Sequence, residues 1–250
     1  MKLKHFIFLG MIFCFSVSLL AQSADELIAQ GDALYQEMQD METAQKALSL
    51  YRQAANIMEN KYEALWRISR MMYYVGEHTE SKKEKKNIFA QAVYFADRAV
   101  EANPEKPDAY YWRGVNNGKV GETRGVLKSL SLVKPIKQDM NKVIEIDRTY
   151  EDGGADRVLG RVYYKLPGFA GGSKDKSQEH LEKSKELGPD DATTRIYLAE
   201  TYMDQKEIEK ARAELDYVLN MPEDLRWMTA VEECKEMARE LLQDKKFRKN

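Results

Sequence analysis

Cysteine is almost missing from this chain: 250 residues hold two, Cys14 and Cys234. If the N-terminal segment that carries Cys14 is removed, no intramolecular disulfide can form, and the remaining thiol is expected to pack inside a helix. Proline is scarce too, at six, which excludes a proline-rich linker protein. Of three histidines, His5 lies in the first segment, and His78 and His180 stand alone, without the spacing of a metal site or a catalytic triad. Lysine and arginine (39) do not exceed aspartate and glutamate (41), so the net charge of -2 excludes a general affinity for nucleic acid.

What is present is a charged, helix-rich composition, 32% charged and 43% hydrophobic, over a length that allows one large domain or two small ones. Lys2 and Lys4 precede an apolar run over residues 6–20, and small and polar residues follow. That pattern predicts a secretory signal over residues 1–21, cleaved near Ala21 or Ser23, and an exported protein of residues 22–250. Its loss would remove two lysines and take the charge from -2 to about -4. The alternative is a retained anchor, although the run is shorter than the roughly 20 residues that span a bilayer comfortably. Phe13 precedes Cys14 where a lipoprotein signal has a small residue, so lipidation is not expected.

Beyond this segment the sequence repeats itself. Leu198, Ala199 and Tyr202 recur at helical spacing, as do Ala211, Leu215 and Val218, with a polar turn over residues 204–206 between them. Leu159, Gly160 and Tyr163 repeat the first set, and Leu181 lies on their partner helix, which ends at Gly188 and Pro189. Gly114, Gly31 and the alanines Ala92, Ala96, Ala99, Ala47 and Ala54 continue the small-residue stripe upstream, and Pro104 stops a helix. A unit of roughly 34 residues with L-G-x-x-Y, then small residues, then proline is the tetratricopeptide-repeat (TPR) signature. One such hairpin cannot bury its apolar face alone, so the expectation is an all-α solenoid of about five TPR-like hairpins. A C-terminal capping helix over about 223–246 is expected to turn Leu225, Met228, Val231, Met237 and Leu241 to one side.

Two stretches break the pattern. GFAGGSKDKSQ, from Gly168, brings glycines and a serine next to Lys174. A phosphate cradle needs G-x-x-x-x-G-K-[ST] after a buried strand, whereas here a repeat helix precedes the glycines. The stretch therefore reads as a turn about five residues longer than that of the last repeat, with Ser173 capping the next helix. Gly114, Gly118, Gly121 and Gly125 would form one bare stripe on a helix in close contact with another, the alternative being a helix that ends at Gly121. Pro135 then predicts a kink or a break.

The run from YYWRGVNNGKVGETRG through IEIDRTYEDGG and LGRVYYKLPGFAGGSKDK resembles the T component of tripartite TRAP transporters, over roughly residues 60–245. The same helix pattern is similar to the repeat domain of the eukaryotic regulator-of-microtubule-dynamics family. The first resemblance implies a periplasmic transport accessory, soluble or peripherally membrane-associated. It also implies a homotrimer that docks a solute-binding protein and helps a small apolar solute to move. The other reading is a generic TPR scaffold for assembly of exported or outer-membrane proteins. No catalytic, cofactor or metal residue is assigned, and carboxylates alternating with lysines read as solvated helix faces. On the first helix of each hairpin, the side opposite the second helix should face a concave groove. That places Tyr111, Val115, Arg157, Arg161, Tyr164, Ile196, Glu200 and Met203 as partner-binding residues, a tyrosine and arginine mixture suited to protein recognition.

Overall fold

Short polar side chains start the helices. Ser23 and Glu26 close a reciprocal capping box, with bonds of 3.2 and 2.9 Å. Ser173 accepts from the Lys176 amide at 3.3 Å and Asp191 from that of Thr194 at 2.5 Å, each satisfying an amide that its helix leaves unbonded. The computed structural model describes residues 22–38, 40–57, 61–222 and 228–248. The expected signal segment and Leu225 lie outside them, as does the side chain of Met228.

Among the described residues there are eleven α-helices, two short 3-10 turns and no strand. They pair as α1 (Ala24–Gln36) with α2 (Met41–Ile57), α3 (Tyr62–Glu77) with α4 (Lys82–Ala102), and α5 (Pro107–Arg124) with α6 (Val126–Asp147). Then α7 (Tyr150–Lys165) pairs with α8 (Lys174–Leu187) and α9 (Ala192–Gln205) with α10 (Ile208–Leu219), before the terminal α11 (Met228–Leu241). The fold is an α-solenoid of five TPR-like hairpins.

Each of the first four hairpins closes on a knob in a notch. Tyr51, Phe89, Met140 and Leu181 fill the space left by Gly31, Gly76, Gly114 and Gly160, where an added Cβ would stand 2.4–2.6 Å from the opposing side chain. In hairpin five Ala199 and Leu215, both fully buried, belong to the same core. Full burial of such a leucine is worth roughly 1.5–3 kcal/mol, so repeated notches, rather than any single contact, hold the stack.

The glycine stripe of α5 forms the expected helix contact only in part. Gly114 meets Met140 and Gly121 meets Ser129, but Gly118 has nothing within 4 Å, and Gly125, at φ 82°, ends the helix. Pro135 does not break α6. The carbonyl four residues before it belongs to Ser131, which is exposed and can be hydrated. On α11 the buried side is Val231, Cys234 and Ala238, while Met237 is 38% exposed, so the expected face is rotated. That helix stops at Leu241, and a 3-10 turn at Lys245–Arg248 folds Phe247 back against the Arg212 guanidinium.

His180 is not an isolated surface histidine. Its Nδ1 lies 2.7 Å from Oδ1 of fully buried Asp156, whose carboxylate also accepts from Arg148 Nε at 2.8 Å and Nη2 at 3.1 Å. The imidazole stacks on Tyr163. These bonds hold the Asp156 carboxyl below its usual range although burial pushes it upward.

Candidate binding trough

Consecutive first helices touch: α3 with α5, α5 with α7, α7 with α9, and α9 with α11. They therefore line the inside of the curve, and the second helices lie outside. The curve is tight, for His78 Nε2 at the end of α3 stands 3.9 Å from Glu233 Oε1 on α11. The inner surface is a trough whose side chains come from four or more helices.

Its middle is a ladder of arginines, tyrosines and acids. Arg157 donates to Tyr111 OH at 2.9 Å and to Asp191 at 3.0 Å. Burial opposes the charge on Arg157, but Asp191 and Tyr111 outweigh it and raise its pKa, while burial pushes the Tyr111 hydroxyl up to about 12. One turn on, Arg161 pairs with Glu200, and its guanidinium lies 4.0 Å from the Tyr197 ring centroid and 5.3 Å from that of Tyr164. Towards the N-terminus, Arg67 is shared by Asp32 and Glu63. Lys119 bridges Glu77 and Glu122.

The structure thus joins Arg161 with Tyr164 and Glu200, while Tyr111, 4% exposed and part of the middle core, offers only its hydroxyl, to Arg157. Val115 is half-buried against the middle core. Ile196, fully buried, and Met203, 5% exposed, are core side chains instead of trough lining. The reason is that α9 is covered by α7, α8, α10 and α11, so a side free of its hairpin partner is not a free side. Tyr197 and Lys119 join the lining unannounced; each stands three or four residues from an expected position, Glu200 and Val115, and could have been found by that spacing.

Two charged residues of α7 have no ion pair among the described residues. Among the described residues Glu151 has no hydrogen bond and no cation within 4 Å; burial raises its pKa, partly offset by Arg157 and Arg70. Lys165, at the exposed end of α7, has no carboxylate within 4 Å among the described residues, and its ammonium stands 5.6 Å from the Tyr164 ring centroid. Glu151 sits in a left-handed stretch, with φ 50° at Glu151, 55° at Asp152 and 75° at Gly153.

The glycine-rich turn is not built as a phosphate cradle. It joins two helices, and Lys174 is already engaged, 3.0 Å from Asp204, 3.1 Å from the Tyr164 carbonyl and 3.3 Å from the Tyr164 ring centroid. Among the described residues no cluster of three or more His, Cys, Asp or Glu is placed to hold a metal ion, and no helix is long and apolar enough to cross a membrane.

The profile of the family described as regulator of microtubule dynamics protein 1-3 matches residues 27–170. Regulator of microtubule dynamics protein 1 of Bos taurus is 29% identical over 124 residues, 49% of this chain and 37% of that protein. The Mus musculus protein is 27% identical over the same length, 39% of its own. The match thus spans little more than a third of these relatives. Among solved structures, a thermophilic TPR protein of Thermus thermophilus superposes with a TM-score of 0.64 at 17% identity, over 86% of this chain and all of that one. PilF of Pseudomonas aeruginosa does so with 0.56 at 15% identity, over 87% of each chain. At such identities they attest the fold alone.

The family match overturns the expected kinship with the TRAP T component, with which this chain shares architecture only. The periplasmic placement is corrected with it, since the matched relatives are proteins of mammals, whose cells have no periplasm. The solute-binding partner, the small apolar solute and the trimer were implied by that kinship alone and lose their ground. The ion-paired lining is also unlike a path for an apolar solute.

Proposed function

The chain belongs to the family of regulator of microtubule dynamics protein 1-3, and from that membership and the trough we propose that it is a scaffold that captures an extended segment of a protein partner between α3, α5, α7 and α9. The TPR-like fold supports an interaction role. The role named for the mammalian relatives stays with those longer proteins; what is shared is the stretch from α1 to the turn after α7.

One observation carries the reading: the ladder of Arg157, Arg161, Tyr164 and Tyr197 on the inner surface, with Arg157 held from the core by the hydroxyl of buried Tyr111. Tyrosine and arginine dominate interface hot spots because they give large contact area together with directional bonds. Here Asp191 and Glu200 already hold the arginines, so little side-chain entropy remains to be lost on binding. An extended segment keeps its main-chain amides unpaired and can use the tyrosine hydroxyls and guanidinium edges in place of water.

A photo-reactive benzoylphenylalanine at Tyr197, in the trough, is compared in native cells with one at Tyr94, which is 56% exposed on α4. Discrete protein adducts at position 197, absent from position 94, are the expected result. No adduct at 197, or the same adducts at both, would overturn the trough as the site.

A further inference from the structure

Every hairpin is antiparallel and packs beside the next, so the turns from first to second helix share one rim of the stack. Residues 78–86, 124–128, 165–176 and 206–210, which cross or flank that rim, carry eleven lysines and arginines against five acids. The links at the opposite rim, 103–108, 147–152 and 188–191, carry seven acids against two cations. The stack therefore has one basic and one acidic rim. On the basic rim Leu127, 70% exposed between Arg124 and Lys128, and Phe169, 81% exposed, stand in solvent. We propose that this rim docks on an anionic membrane surface, with Phe169 entering the lipid and Lys137 and Lys176 holding headgroup phosphates.

Tyr163 binds these parts into one unit. Its carbonyl accepts from the Ser173 amide at 3.1 Å, and the Gly172 amide donates to the Pro167 carbonyl at 3.0 Å, so the turn that carries Phe169 is closed on the end of α7. A Cβ at Gly172 would collide with the Leu166 carbonyl, whereas one at Gly168 or Gly171 would meet nothing within 4 Å. Phe169 is thus displayed by a fixed, projecting turn, and no hollow of this chain receives its ring. The Tyr163 ring in turn gathers two ammonium groups: Lys137 Nζ of α6 lies 3.8 Å from its centroid and Lys176 Nζ of α8 lies 5.5 Å from it. Among the described residues neither lysine has a carboxylate within 4 Å; nearby Asp156 is buried and already taken by Arg148 and by His180, which stacks on the same ring. A lipid surface supplies both complements at once, phosphates for the ammonium groups and an apolar interior for the ring. These residues lie on the rim, so the inference stands whatever the trough holds.

The apolar run over residues 6–20 can itself bind lipid, so the test reads single positions of the full chain. An environment-sensitive fluorescent amino acid replaces Phe169 or, in a second protein, Tyr94, which lies midway along α4. Vesicles of phosphatidylcholine mixed with phosphatidylglycerol are expected to shift the emission at position 169 to the blue and to leave that at position 94 unchanged. Phosphatidylcholine alone should give no shift, and added salt should weaken the effect. Lys137→Gln and Lys176→Gln should each raise the lipid concentration at half-shift about fivefold, equivalent to roughly 1 kcal/mol per charge near an anionic surface. No shift at 169, equal shifts at both positions, an equal shift with phosphatidylcholine alone, or a half-shift concentration indifferent to both lysines would overturn the docking. A shift at 169 given by soluble polyglutamate and not by vesicles would overturn it in favour of an acidic protein partner.

Discussion

Hairpins four and five are made from the same parts and differ at their ends. In hairpin five, Asp191 caps α9 and residues 206–207 suffice to turn the chain into α10, with one non-glycine left-handed residue, Lys206 at φ 67°. Hairpin four enters α7 through three left-handed residues and leaves it through residues 166–173, which display Phe169 at 81% exposure. Their cores are equivalent: Leu181 and Leu215 are both fully buried. The regular hairpin shows what the repeat needs in order to fold. The irregular one concentrates its backbone cost at the entry to α7, in Glu151, Asp152 and Gly153.

The largest effects should fall on the equivalent cores. Leu181→Ala and Leu215→Ala should each lose about 2–5 kcal/mol in urea unfolding, because each leaves a cavity in a closed notch. A loss in one hairpin only would show that the two cores are not alike. An intermediate effect is expected where the hairpins join, since Asp191 both caps α9 and pairs with Arg157 of α7. Asp191→Ala should cost about 2 kcal/mol, whereas Asp191→Asn, which keeps a capping oxygen, should cost roughly half of that. Equal losses would mean that the cap contributes nothing.

The smallest effect has the opposite sign. Burial raises the Glu151 carboxyl above its ordinary 4.5, so the folded state holds this proton more tightly than the unfolded chain does. The contribution is fully present below that pH and is lost as pH rises through the folded value, which means that ionised Glu151 works against the fold at neutral pH. Glu151→Gln should therefore raise stability at pH 7 by up to about 1 kcal/mol, and the gain should vanish towards pH 4. A loss of stability at pH 7 would show that Glu151 has a structural partner.

Much of the fold could be read from residue types. Leu198, Ala199, Tyr202 and Leu215 lie in the core where helical spacing puts them, and Ser173 caps α8. The geometry of one hairpin puts Ile196 and Met203 on a free face, but a stack covers α9 on several sides. Gly114 and Gly121 both meet α6, and Gly118, turned roughly 40–60° round the helix from them, has nothing within 4 Å. Nor did the shared helix pattern tell one TPR-like family from another; the match over residues 27–170 did.

By itself the sequence determined the helices, their pairing and the closeness of each pair, since periodicity, caps and side-chain volume act within some forty residues of chain. Only the tertiary structure decided which charges found partners: Arg157 reaches Tyr111 and Asp191 from two other helices, His180 reaches Asp156, and Glu151 forms no ion pair among the described residues. The physical reason is that an ion pair depends on distances of a few ångströms between residues remote in the chain, and those distances are set by how hairpins stack.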